Sequence, residues 1–87
     1  MSTYTLKITS PDGVVFEDKV TMLCVRGAAG DLAVMAGHIP FVTSVQKGVC
    51  KVTLEDGTEK MAETDGGLLT VSKEETIFLS DTFKWTE

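Results

Sequence analysis

Apolar side chains recur at every second position along nearly the whole chain, and that regularity leaves few folds open. Leu6 and Ile8 alternate with Thr5, Lys7 and Thr9, and Val20, Met22 and Cys24 alternate with Thr21, Leu23 and Val25. Cys50, Val52 and Leu54 alternate with Lys51, Thr53 and Glu55; Leu69 and Val71, then Ile77 and Leu79, continue the pattern. A period of two puts alternate side chains on opposite faces of a strand, one row in a core and the other outward. Helical spacing is hard to find. The reading predicts that Leu6, Ile8, Val20, Met22, Cys24, Val52, Leu54, Leu69, Val71, Ile77 and Leu79 form the core.

Turn residues cut these runs into short pieces. Pro11-Asp12-Gly13 combines a preset φ with a permissive glycine. Asp56-Gly57, between VTLE and TEKM, is the strongest hairpin signal and predicts a two-residue type I′ turn. Gly66-Gly67 and Lys73-Glu74 separate further runs. Breaks every ~8–12 residues are the spacing of a sandwich or barrel. The expected architecture is all-β: two packed sheets, or a flattened barrel, of roughly eight to ten short strands in a single domain over residues 1–87. Phe83 and Trp85 follow the last long strand and are expected either to cap an open end or to fray.

Size and charge narrow the function. Eighty-seven residues suffice for one core, and such a chain buries about 60–65% of its unfolded surface. Hydrophobic residues make up 43% and charged residues 24%, ordinary globular values. Thirteen acids against eight bases give a net charge of −5. Without a basic stripe, the phosphate attraction that dominates nucleic-acid binding is missing, and an anionic lipid surface is disfavoured. No apolar run reaches the ~20 residues of a membrane span, and MSTYTLKITS lacks the features of a signal peptide and reads as a cytosolic start. Cys24 and Cys50 belong to no CxxC motif and are expected to be reduced, strand-packed thiols.

The stretch GAAGDLAVMAGHIP, residues 27 to 40, gathers three glycines, a proline and the lone histidine. Its glycines fit neither GxGxxG nor a P-loop, and no Lys-Ser/Thr follows. A zinc site around His38 would have to draw both cysteines from separate strands, without ligand spacing to support it. A Cys–His pair lacks the exposed, electropositive loop that reactive thiols occupy. The residues therefore point to no catalytic, cofactor or metal site. They read as turns at both ends of a short strand, Leu32 to Met35, with His38 ordering a loop or facing a partner. Other acids (Glu55, Asp56, Glu59, Glu63, Glu74, Glu75) lie on solvent faces, whereas Asp31 projects from the glycine turn as a candidate partner contact.

Taken in order, these motifs resemble the epsilon subunit of F-type ATP synthases, in its N-terminal β-sandwich domain. The resemblance is carried by Gly27-Ala28-Ala29-Gly30-Asp31-Leu32, by Gly37-His38-Ile39-Pro40, by Gly48, by Gly66-Gly67 and by the strand end LSDT. It runs from about Tyr4 to Thr82. Arg26 and Ala36 stand where the family often has proline, which loosens two turns. The resemblance implies a non-catalytic rotor subunit of the central stalk, coupling the gamma subunit to the membrane ring. It implies a peripheral position on the cytoplasmic face of a bacterial inner membrane, and no cofactor. Asp31 would face the polar loops of the ring subunits, while Ser10, His38 and Thr43 would face gamma. The family's C-terminal helical hairpin has no counterpart in these residues, so this chain is expected neither to inhibit ATP hydrolysis nor to bind nucleotide tightly. Two readings compete with the rotor subunit. One is a free-standing β-sandwich adaptor that takes a peptide or protein at an edge strand; the other is an enzyme that uses His38 and a cysteine.

Overall fold

The computed structural model describes residues 2–37 and 39–86. Within them lie nine strands: β1 (Tyr4–Ser10), β2 (Gly13–Gly27), β3 (Gly30–Met35), β4 (Phe41–Val45), β5 (Gly48–Leu54), β6 (Glu59–Thr64), β7 (Gly67–Val71), β8 (Glu75–Ser80) and β9 (Phe83–Trp85). No helix occurs among the described residues. The expected all-β fold and strand number both hold.

The strands form one continuous ladder that folds onto itself. Strand β2 is long enough to serve both halves. Its first part pairs β1, which runs parallel to β8, and the layer continues through β7 to β4. Its second part pairs β3 on one side and β5 on the other, and that layer continues through β6 to β9. A single Gly27–Val45 pairing joins the far edge of the first layer back to β2. Apart from β1–β8, every pairing is antiparallel, and the pairs β1–β2, β2–β3, β5–β6 and β7–β8 are hairpins.

Between the layers lies a core of Leu6, Ile8, Val20, Leu23, Val25, Val34, Val45, Cys50, Val52, Ala62, Leu69, Val71 and Phe78. Six predicted core residues (Leu6, Ile8, Val20, Val52, Leu69 and Val71) are buried there. Four predictions on two strands are corrected. Met22 and Cys24 are only half-buried, while Leu23 and Val25 point inward. The cause is an irregularity between Val20 and Met22, where β2 bends from one layer into the other. An extra residue at a bulge moves every later side chain to the opposite face. On β8 the inward row is Thr76, Phe78 and Ser80, so Ile77 is half-buried and Leu79 exposed. Leu54, also expected inside, is half-buried and packs at the core's edge.

Local chemistry explains the turns. Pro11-Asp12 closes a two-residue hairpin, and the Asp12 N–H donates to Ser10 Oγ at 3.3 Å. The Asp56-Gly57 turn differs from expectation. Only glycines have positive φ among the described residues, so Asp56 cannot take its place in a type I′ turn. The loop is instead three residues long. Leu54 N–H donates to Thr58 O at 2.8 Å, Gly57 N–H donates to Leu54 O at 3.0 Å, and Gly57 takes φ +93°. That is a type I turn closed by a left-handed glycine, a common alternative for hairpins. The Asp56 carboxylate accepts the Thr58 N–H at 2.9 Å, and this bond holds its pKa below the usual carboxylate value.

At the open end of the sandwich, β9 adds onto β6 and Trp85 closes the gap. Its ring meets Phe83 edge-on at 4.9 Å and Phe16, on β2, at 5.7 Å, with Lys60 Nζ 4.3 Å above it. Phe83 continues the chain of rings to buried Phe78 at 6.3 Å. Of the two readings of this aromatic pair, capping holds and fraying does not.

Candidate docking surfaces

Two outer surfaces carry features beyond what folding needs. The first is the outward face of the layer β1, β8, β7 and β4. Strand register lays its residues out in two rows. One runs Val14, Thr9, Leu79, Leu68, Ser44, and the other Glu17, Lys7, Ile77, Thr70, Val42. Val42 is 62% exposed, Val14 55%, Leu79 47% and Leu68 42%. Single exposed apolar residues are normal, but a cluster on the neighbouring strands β8, β7 and β4, with Val14 beyond Thr9 on β1, marks an interaction surface. The sequence held a signal for this face that a one-face reading overlooks. TIFLS and GLLTV are apolar at both parities, the pattern of strands covered on both sides.

Ser10 and Thr43, the candidate gamma-side residues, lie on the outer strands of this layer. Ser10 ends β1 beside Thr9, half-buried, and its hydroxyl accepts the Asp12 N–H. Thr43 sits between the outward Val42 and Ser44 but belongs to the core-facing row of Ile8, Phe78 and Leu69. It is half-buried. His38, the third candidate, lies outside the described residues.

The second surface centres on Asp31. Gly27 and Gly30 close the β2–β3 hairpin, which sets Arg26 directly across from Asp31. The Arg26 Nε lies 3.6 Å from Asp31 Oδ1, with the side chains 60% and 79% exposed. At such exposure the pair contributes little to stability, about 0–1 kcal/mol. Beside the hairpin runs an open groove of about 730 Å³, whose lining includes Arg26, Asp31, Lys47, Gly48, Val49, Lys51 and Met61. Structure therefore brings Asp31 together with three cations from β2, β5 and the turn before β5. Ser10 and Thr43 belong to the other layer.

Cys50 is buried, and that burial pushes its thiol up to about 11 from an ordinary 9.0, which keeps it protonated and a poor nucleophile. Cys24 sits on the opposite face of the strand layer, at the register of Lys51. Both thiols are free. Among the described residues, no three His, Cys, Asp or Glu side chains gather where they could hold a metal ion.

Comparison with known proteins now gives these surfaces a context. Residues 3–86 match the family described as ATP synthase, Delta/Epsilon chain, beta-sandwich domain. The ATP synthase epsilon chain, sodium ion specific, of Acetobacterium woodii is 38% identical over 98% of this chain, which spans 64% of that relative. The epsilon chain of Caldicellulosiruptor saccharolyticus is 35% identical, with 63% of its length spanned. That of Acinetobacter baylyi is 38% identical over 94% of the chain, with 59% of its length spanned. This chain thus covers about 60% of each of these relatives. Among solved structures, a chain of the Euglena gracilis mitochondrial ATP synthase (OSCP/F1/c-ring in rotational state 1) superposes with a TM-score of 0.91 at 21% identity. That match covers 98% of this chain and 54% of the other. A chain from the central stalk and c-ring of the Tetrahymena thermophila mitochondrial enzyme gives 0.76 at 8% identity, covering 94% and 66%. The two structural likenesses show the fold. With the family match over nearly every residue, this chain belongs to the ATP synthase delta/epsilon β-sandwich family, as the N-terminal domain of an F-type epsilon chain.

Proposed function

We propose that this chain acts as a non-catalytic part of the central stalk of an F-type ATP synthase, coupling the gamma subunit to the membrane ring. In this reading it sits peripherally on the cytoplasmic face of a bacterial inner membrane. The observation that carries it is the exposed apolar face of β8, β7 and β4, which a free-standing domain would have no reason to keep. Val42, Leu68 and Leu79 supply the contact area for gamma, and Ser10 and Thr43, on outer strands of the same layer, are candidate gamma-side residues along with His38. On the other layer, Asp31 leaves the body at a hairpin tip, where an exposed carboxylate accepts hydrogen bonds from basic or amide-bearing ring loops.

A rigid body suits such a role. A close-packed interior between two strand layers has low compressibility and passes force between its faces without deforming. Chemistry is not required of it.

The reading is tested by separating the two faces. Leu68→Glu and Leu79→Glu place charges in the apolar contact and should weaken binding to isolated gamma at least tenfold, since a charge desolvated without a partner costs several kcal/mol. Asp31→Lys should leave binding to gamma unchanged and weaken docking to the assembled ring. All three positions are exposed, so thermal melts should move little, by roughly 0.5 kcal/mol or less. If the leucine variants bind gamma as the parent does, the apolar face is not the gamma contact.

A further inference from the structure

The groove beside the Gly27–Gly30 hairpin carries charge of the wrong sign for this chain. The protein as a whole is acidic, at −5. Yet Arg26, Lys47 and Lys51 all line this one groove, with Asp31 as its sole carboxylate. Asp31 lies 3.6 Å from Arg26 and Glu59 lies 3.7 Å from Lys51, both loosely, and Glu63 and Asp65 line an adjoining hollow with Lys47. Lys47 has no ion-pair partner among the described residues. Between the cations the floor is apolar. Val49 is 54% exposed, and Met61 faces out beside Lys51 in the β5–β6 register.

Gly48 shapes the groove. A methyl group there would meet the Arg26 Cβ, Cδ and Nε, each at 3.8 Å, so the arginine stem lies along the glycine with its guanidinium at the rim. The groove thus combines an apolar strip of Val49 and Met61 with three cations around it. An extended segment with alternating carboxylates and small apolar residues matches both, because charge complementarity sets register while the apolar strip supplies contact area.

We propose that this groove docks an acidic, partly apolar extended segment of a partner chain. The inference rests on the reading that the Gly27–Gly30 hairpin is a docking surface. It adds that whatever seats there brings a carboxylate to Lys47 and Arg26 as well as a donor to Asp31. The ring or stalk element that contacts Asp31 is therefore of mixed charge rather than simply basic.

The test is an NMR titration of the 87-residue chain with a short synthetic peptide of alternating glutamate and leucine spaced by glycine and serine. Its lysine-for-glutamate counterpart is the control, and inorganic phosphate and phosphatidylglycerol vesicles are further arms. Expected are amide shifts confined to Ala33, Lys47, Gly48, Val49 and Met61, for the glutamate peptide only. Affinity should fall at least about fivefold between roughly 50 and 500 mM salt, as exposed charges are screened. Lys47→Glu and Arg26→Glu should each weaken binding about tenfold, whereas Lys73→Glu, on the β7–β8 turn, should not. Equal binding of the lysine peptide, shifts on the β7–β8 face instead, or binding of vesicles or phosphate without the glutamate peptide would each overturn the proposal. Co-assembly of the chain with gamma and ring is measured in parallel. If the peptide fails while assembly succeeds, this inference alone falls; the reverse result sinks only the stalk reading.

Discussion

Gly67→Ala is the substitution whose cost the structure fixes most directly. A methyl group at Gly67 would lie 1.9 Å from Leu79 O, 2.9 Å from Leu79 C and 3.0 Å from Ser80 Cα. All three are backbone atoms of β8, so no side chain can swing aside. Relief requires about 1 Å of separation at the Gly67–Ser80 pairing. Immediately beside it lies a buried hydroxyl pair, Thr64 Oγ1 and Ser80 Oγ at 2.7 Å, with Gly66 N–H donating to Thr64 Oγ1 at 3.0 Å. Overpacking of this kind costs about 1–3 kcal/mol, and a buried hydroxyl left unpaired costs another 1–3 or so. The sum, roughly 2–6 kcal/mol, is a large share of the ~4–13 kcal/mol available to a chain this long. Gly57→Ala is the matched control. Its φ of +93° is just as unfavourable to alanine, but nothing lies within 4 Å, so only about 1 kcal/mol of backbone strain applies. In urea, with a slope near 1 kcal/mol/M, the midpoint should fall by about 1 M for Gly57→Ala and by two to several times that for Gly67→Ala. Equal losses for the two would refute the close-approach argument.

Other outcomes follow from the burial pattern and the thiols. Leu23→Ala should cost about 2–5 kcal/mol by opening a cavity, and Met22→Ala well under half of that; chemical denaturation that ranks them the other way would contradict the bulge in β2. Under native conditions a thiol reagent should label half-buried Cys24 well before Cys50, and comparable rates would mean that Cys50 is reached without unfolding. Because burial raises the Cys50 thiol from 9.0 to about 11, the folded state keeps a proton that the unfolded state has lost. That contribution is fully present below pH ~9 and is lost as pH rises through about 11. Stability should therefore decline over that window, less steeply in Cys50→Ala, and an identical pH dependence of the two proteins would count against it.

Much of this fold was legible because the core is built from alternation. Leu6, Ile8 and Val52 sit in strands whose polar partners leave only one choice of face. Gly27 and Gly30 gave away the β2–β3 hairpin, and the Gly66-Gly67 break between β6 and β7 was equally plain. What failed did so for physical reasons. TMLCV carries apolar residues at both parities, and only a bend between the layers decides that Leu23 and Val25, rather than Met22 and Cys24, turn inward. On β8, Phe78 outcompetes Ile77 and Leu79 for the core, and the outer face accepts both. That same ambiguity hid the candidate site. Leu79 was assigned to the core by its period-two placement, yet it stands 47% exposed on the outer face. Asp31 was singled out correctly as a projecting residue at 79% exposure, but the cations around it come from distant segments, and no spacing in the chain announces them.

As a proposed stalk component, this domain meets gamma through the outward face of β8, β7 and β4. Hydrogen–deuterium exchange of the chain, alone and bound to the gamma subunit, tests this contact most directly. The account predicts a stable complex in which protection concentrates on β4, β7 and β8, with the Gly27–Gly30 hairpin unchanged. No complex, or protection confined to β3, β5 and β6, would contradict it.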